Sequence, residues 1–193
     1  MPATLPALNL IAEPGFRRAT LDTAREIERR GFAGISVSSS FGNMSQSVGL
    51  ALATERIPFA TAIAPIYAQS ADEFAQNAAY LHEVSGGRFQ FGIGIAHAPA
   101  YVRMEVKPGK PLGDVRAFVA KFKSHAEYGP LPPVILATLR KRMIRPLRRD
   151  RRGSGLRQCQ PCTYGRIVGH PTSGEAQRSG FLCRQPYSHL HLR

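Results

Sequence analysis

The chain has 193 residues and a formal net charge of +13, from 26 Lys and Arg against 13 Asp and Glu. That length allows one domain with a substantial core, but it falls short of the roughly 250 residues of a complete eight-fold β/α barrel. No apolar run approaches the roughly 20 residues that span a bilayer, and no basic segment at the N-terminus leads into an apolar stretch, so a cytoplasmic location is expected.

In chain order, the front part alternates short apolar runs with amphipathic stretches, the pattern of βα units around a parallel sheet. Ala7–Ile11 is expected as the first strand, and the turn at Glu13, Pro14 and Gly15 leads to a helix over Arg17–Arg30. Leu21, Ala24 and Ile27 supply its buried face, and Gly31 ends it as a C-cap. Gly34–Val37 follows as the second strand, then a helix over Met44–Thr54 capped by Ser45 or Asn43. The third strand lies near Phe59–Ala64, and Ser70 caps a helix over Ala71–Val84 that carries Phe74, Ala78 and Leu81 on one face. Gly86 and Gly87 permit the positive-φ reversal before a fourth strand, Arg88–Ile95.

A polar, proline-containing loop is expected over Ala98–Pro111, then a helix over Leu112–His125 with Val115, Phe118, Val119 and Phe122 inward. Pro132 and Pro133 introduce a fifth strand, Val134–Thr138, and Leu139–Met143 starts a fifth helix. Repeats of roughly 25–35 residues suit βα units, whose right-handed crossovers wind the strands in one direction around a barrel wall. Gly92-x-Gly94 lies inside a strand and no third glycine opens a helix, so it is not a phosphate loop; it serves either close packing or the approach of a flat ligand.

Beyond Met143 the pattern stops. Residues 1–142 hold 16 Lys and Arg and 11 Asp and Glu, whereas residues 143–193 hold 10 and 2, and all ten basic residues there are arginine. Alanine falls from 23 to one across the same boundary, and Cys159, Cys162 and Cys183 all lie beyond it. Disorder is expected for a segment of this kind. Cys159 and Cys162 lack a second closely spaced pair, so neither they nor Cys183, His170, His189 and His191 are expected to hold a metal. The Arg145–Arg152 cluster can bind nucleic acid non-specifically, but nothing accompanies it that would give specific recognition.

Four stretches of the front part are more specific. They are Ala53-Thr54-Glu55-Arg56-Ile57, Thr61-Ala62-Ile63-Ala64-Pro65-Ile66-Tyr67, Ser85-Gly86-Gly87-Arg88-Phe89 and Phe91-Gly92-Ile93-Gly94. In unbroken order over about residues 7–143, the chain resembles the luciferase-like monooxygenase family of flavin- and deazaflavin-dependent oxidoreductases. The resemblance implies an α/β fold: a truncated, partial TIM (β/α) barrel of about five parallel strands with flanking helices, followed by the disordered tail. Residues 1–143 form the barrel part and 144–193 the basic tail. Alanine codons read one base out of register in GC-rich DNA become mostly arginine or proline codons, so a shifted reading frame near Ile144–Pro146 would explain the junction.

Barrels of this type carry their chemistry where strands end. The resemblance implies a flavin-like ring across the ends at Ser38–Phe41, Ala62–Pro65, Ile95–Pro99 and Leu139–Arg142, backed by a bulge with a non-proline cis peptide at Ala62–Ile63. The expected cofactor contacts are Ser39, Ser40, Thr61, Ala62, Ile63, Gly94, Ile95, Ala96 and Arg142. Serine hydroxyls can hydrogen-bond a ring carbonyl, and Arg142 either meets a phosphate or acidic substrate or belongs to a solvated helical turn. Ser39-Ser40-Phe41 replaces the Asp-His pair found in many deazaflavin-dependent members, which disfavours the sugar-phosphate dehydrogenase branch. His97 is the catalytic candidate, a proton donor or acceptor during hydride transfer, or else an anchor for the loop after it. His82 and Tyr67 read as packing residues.

The expected function is therefore hydride transfer or monooxygenation of an unidentified small organic substrate, with a 5-deazaflavin coenzyme of the F420 type or FMN. The alternatives are a non-catalytic remnant and non-specific nucleic-acid binding through the tail. Five strands cannot close a barrel, so strands one and five would offer open edges, and association through them is expected.

Overall fold

A computed structural model describes residues 5–137 and the strand Leu156–Gln158. In order these are β1 (Leu8–Leu10), α1 (Arg17–Arg29), β2 (Ile35–Val37), α2 (Asn43–Ala53), β3 (Phe59–Thr61), β4 (Ala64–Pro65), α3 (Ala71–Val84), β5 (Phe89–Gly94), α4 (Ala98–Met104), α5 (Pro111–Lys123), β6 (Val134–Leu136) and β7 (Leu156–Gln158). A single 3-10 turn, Ala126–Tyr128, stands between α5 and β6. Every strand pair is parallel, in the order β1-β2-β3-β5-β6-β7, with β4 pairing β5 just past β3.

The strand periodicity divides the sheet into two faces. Phe59, Phe89 and Phe91 alternate onto the helix-covered face, where Phe91 stacks on Phe122 at 5.1 Å and Phe74 meets Phe91 at 5.3 Å and Phe118 at 5.8 Å. The aromatic positions of α3 and α5 thus fill the layer between helices and sheet. On the opposite face the register aligns Asn9, Ser36, Ala60 and Gln90 in one small, polar row, and the Ser36 hydroxyl donates to Asn9 Oδ1 at 3.0 Å.

Most of the expected elements form where the periodicity places them. Ser70 caps α3 in a reciprocal box with Glu73, and Gly86 and Gly87 take φ values of 60° and 79° at its end. Three expectations are corrected. Residues 98–104, read as loop, form helix α4, because Pro99 at the first turn of a helix forfeits no intrahelical hydrogen bond. Neither Ser45 nor Asn43 caps α2; its N-cap is Gly42, and the Asn43 side chain is engaged elsewhere. Leu156–Gln158 pairs with β6 in parallel, so the edge of the fifth expected strand is covered, and the tail contributes a strand where no element was expected. Thr138, the expected helix over Leu139–Met143 and the rest of the tail, with its arginine cluster and three cysteines, lie outside the described residues.

Two of the four stretches that carry the family resemblance, residues 53–57 and 85–89, sit at the foot of the sheet, where strands begin. The Arg88 guanidinium donates to the carbonyls of Ser85, Ala51, Thr54 and Ile57 and to the Thr54 hydroxyl, and lies 5.4 Å from the Phe59 ring centroid. Ser85 Oγ accepts the Phe89 N–H, and Glu28 accepts the N–H groups of Glu55, Arg56 and Ile57. Barrel residues at that end serve stability, and these contacts show how.

Candidate functional site

The other end of the sheet is built around an irregularity between β3 and β5. Ala60 pairs with Gln90 and Ala64 with Ile93, so three residues of one strand face two of the other. That is a bulge, and it holds the cis peptide Ala62–Ile63. Thr61 closes the gap it leaves: its hydroxyl donates to the Gly92 carbonyl at 2.8 Å and accepts the Gly92 N–H at 2.9 Å. A Cβ on Gly92 would stand 1.8 Å from the Thr61 carbonyl oxygen, so this glycine serves close packing of the two strands. At Gly94 a Cβ would meet the Ile63 side chain at 3.2 Å, a tight but yielding neighbour.

The bulge is tied to the end of β2 as well. The Ala62 N–H donates to the Val37 carbonyl at 2.7 Å, and Asn43 Nδ2 donates to the Ile63 carbonyl at 3.0 Å. Between these anchors the chain turns through Ser38, Ser39 and Ser40, with the Ser40 N–H donating to Ser38 Oγ, and enters α2 through Phe41 (φ 59°) and Gly42 (φ 86°). The rim of β5 continues from Gly94 through Ile95 and Ala96 (φ 62°) to His97, the N-cap residue of α4.

The sequence candidates therefore meet at one rim. Ser39, Ser40, Ile63, Ile95 and Ala96 are half-buried there, while Ala62 and His97 are exposed. Thr61 and Gly94 are buried beneath them, and the Thr61 hydroxyl is fully engaged with Gly92. Arg142 lies outside the described residues.

The rim is short of charged groups. The Ala62 N–H and the Ile63 carbonyl are already hydrogen-bonded within the protein. No Asp, Glu, Lys or Arg occurs in residues 38–42, 62–66 or 94–96. Close by on α2, the buried Nε2 of Gln46 has no hydrogen-bond partner among the described residues, although its Oε1 accepts the Ala12 N–H just past β1. A donor of that kind suits a carbonyl-bearing heterocycle. Among the described residues no group of His, Cys, Asp and Glu could hold a metal ion, and no helix is long and apolar enough to cross a membrane.

Sequence reasoning missed three contributors. Asn43 reads as a helix cap and Tyr67 as packing, and Asp114 carries no motif; only tertiary contacts give them their roles. Tyr67 donates to Asp114 Oδ2 at 2.6 Å, and burial together with that carboxylate pushes its phenol well above the usual tyrosine range.

Sheet and rim together define part of a (β/α) barrel. A family model described as luciferase-like monooxygenase matches residues 9–145, and the chain belongs to this family. Among solved structures it resembles coenzyme F420-dependent tetrahydromethanopterin reductase from Methanopyrus kandleri, with a TM-score of 0.63 and 16% identity over 74% of this chain and 52% of that one. An F420-dependent secondary alcohol dehydrogenase, solved with an F420–acetone adduct, gives 0.60 and 17% over 70% and 52%. The oxygenating constituent of 3,6-diketocamphane monooxygenase from Pseudomonas putida, solved with FMN, gives 0.56 and 16% over 70% and 52%. At these identities the likeness is one of fold, and the chain spans about half the length of each structure. No curated protein matches it.

Proposed function

We propose that this chain is an oxidoreductase-type cofactor-binding protein that receives FMN or a 5-deazaflavin of the F420 type at the rim formed by the ends of β2, β3 and β5. The observation that carries the reading is the bulged shelf of Ala62 and Ile63, whose backbone is anchored to Val37 and Asn43. Two of the similar structures have F420 in their descriptions and a third contains FMN, which supports the cofactor class.

When bound, such a cofactor supplies hydride transfer, and FMN also supplies oxygen chemistry; the protein supplies binding and orientation. Ala62, Ile63, Ile95 and Ala96 would seat the ring, and Ser39 and Ser40 would hydrogen-bond its carbonyl edge. Gln46 offers a further donor. His97, at the mouth, would hold or deliver a proton at an imidazole nitrogen as the substrate gains or loses hydride. The substrate would be a small organic molecule.

Titration of the full chain with FMN and with the deazaflavin, followed by absorbance and fluorescence, tests the reading. Saturable binding of either is expected. Absence of both overturns it and leaves the reading of a non-catalytic protein.

A further inference from the structure

The 13 positions between His97 and Pro111 begin at the rim and were expected to form a loop; they are fastened down at two points instead. Tyr67, two residues past β4, donates to Asp114 Oδ2, and the same oxygen accepts the Gly109 N–H at 3.0 Å. A Cβ on Gly109 would stand 2.9 Å from both carboxylate oxygens, so a side chain there would make the Asp114 carboxylate shift from its present position. The Tyr67 ring meets the Tyr101 ring edge-on, with centroids 5.9 Å apart. Tyr101, on α4, donates from its hydroxyl to the Ala96 carbonyl at 3.4 Å, and its own carbonyl accepts the Val106 N–H at 3.0 Å.

These contacts form a chain from the end of β4 to α4, to the end of β5 and to the first turn of α5. We propose that Tyr67 and Asp114 are a latch that holds the α4 segment against the strand ends, fixing the position of His97 and limiting access to the rim. The inference rests on the reading of that rim as the cofactor site. Asp114 and Tyr67 are positioning residues: neither is assigned a contact with cofactor or substrate. Burial and the carboxylate keep the Tyr67 phenol protonated throughout the neutral range, so it remains a donor to Asp114 there.

Tyr67→Phe removes one hydroxyl and keeps the ring, and Gly109→Ala attacks the same carboxylate from the other side. Both are made in the full chain. Hydrogen exchange is measured without cofactor, and association and dissociation rates of FMN and of the deazaflavin are measured by stopped-flow. In both variants, peptides covering residues 98–110 should exchange about tenfold faster, while those of β5 and α3 keep their protection. Cofactor association and dissociation should both accelerate, with a smaller change in their ratio. Unchanged exchange over residues 98–110 overturns the latch, and so does faster exchange with unaltered cofactor rates. A wild-type chain that binds neither cofactor overturns the underlying reading and with it the gating role, and the cofactor-free exchange data keep that failure distinct from failure of the latch.

Discussion

The Thr61 hydroxyl and the Gly92 backbone exchange two hydrogen bonds across the point where β3 and β5 lose their regular pairing. One side chain thereby does for the bulge what ladder bonds do elsewhere. Thr61→Val keeps the shape and leaves a buried N–H and carbonyl without that partner, which should cost about 2–3 kcal/mol. Thr61→Ser keeps the hydroxyl and should cost about 1 kcal/mol or less. Gly92→Ala forces a methyl group into the Thr61 carbonyl, and a loss of about 3 kcal/mol or more is expected. Urea unfolding should find Gly92→Ala the least stable of the three, then Thr61→Val, then Thr61→Ser; a Thr61→Val variant as stable as wild type would show that the hydroxyl does not hold the bulge.

At the foot of the sheet, Arg88 satisfies the carbonyls of Ala51, Thr54 and Ile57 with one planar group. Lysine places a single ammonium on a flexible stem and cannot reach all three at once. Arg88→Lys should therefore lower the unfolding free energy by about 1–3 kcal/mol while leaving cofactor binding at the far end within about twofold. A stable Arg88→Lys variant with weakened cofactor binding would contradict the division of labour between foot and rim.

Glu28 carries a pH signature. Burial pushes its carboxyl up, but the N–H groups of Arg56, Ile57 and Glu55 and the Arg56 charge outweigh that and hold it below the usual carboxylate range. A group whose pKa is depressed by folding contributes stability above its unfolded pKa and loses it as the pH falls through its folded value. Stability should thus decline below about pH 4.5, and Glu28→Gln should flatten part of that decline. At neutral pH the same substitution should cost about 1 kcal/mol, because solvent screens the site. An acid-unfolding profile identical to wild type in Glu28→Gln would exclude this role.

The shelf makes a prediction of its own. Ala62 is exposed at the rim, with its N–H committed to Val37, so its side chain is free to change without disturbing the core. Ala62→Asp should leave the unfolding free energy within about 1 kcal/mol and weaken cofactor binding by about tenfold or more, because a charge would have to be desolvated against the ring. Binding that is indifferent to Ala62→Asp would move the cofactor away from this strand end.

What was legible in the sequence follows from the range of the interactions involved. Leu21, Ala24 and Ile27 reveal α1, and Ser70 reveals the start of α3, because spacing and capping are local. Gly86 and Gly87 mark their turn for the same reason. The cis peptide at Ala62–Ile63 came from the family resemblance and not from any local property of an Ala-Ile pair. Pro99 reads as a loop signal although proline is equally at home in a first helical turn, and that ambiguity hides α4. Asn43 and Tyr67 find their partners 20 and 47 residues away, at Ile63 and Asp114, and no spacing rule reports such pairings.

Least legible of all was the pairing of Leu156–Gln158 with Val134–Leu136, three residues against three, inside a stretch without alternation. The strand matters because β6 would otherwise end the sheet with a row of unpaired N–H and carbonyl groups, the kind of edge that recruits other chains. Successive residues of a strand direct their N–H groups to opposite sides. Of two adjacent prolines at Leu156 and Arg157, one must therefore remove a donor facing β6. The double substitution Leu156→Pro and Arg157→Pro should speed amide exchange in residues 134–136 and increase self-association in sedimentation velocity. Protection of Ile135 that survives both prolines would mean that another partner covers this edge in solution, and the tail strand would lose its structural role.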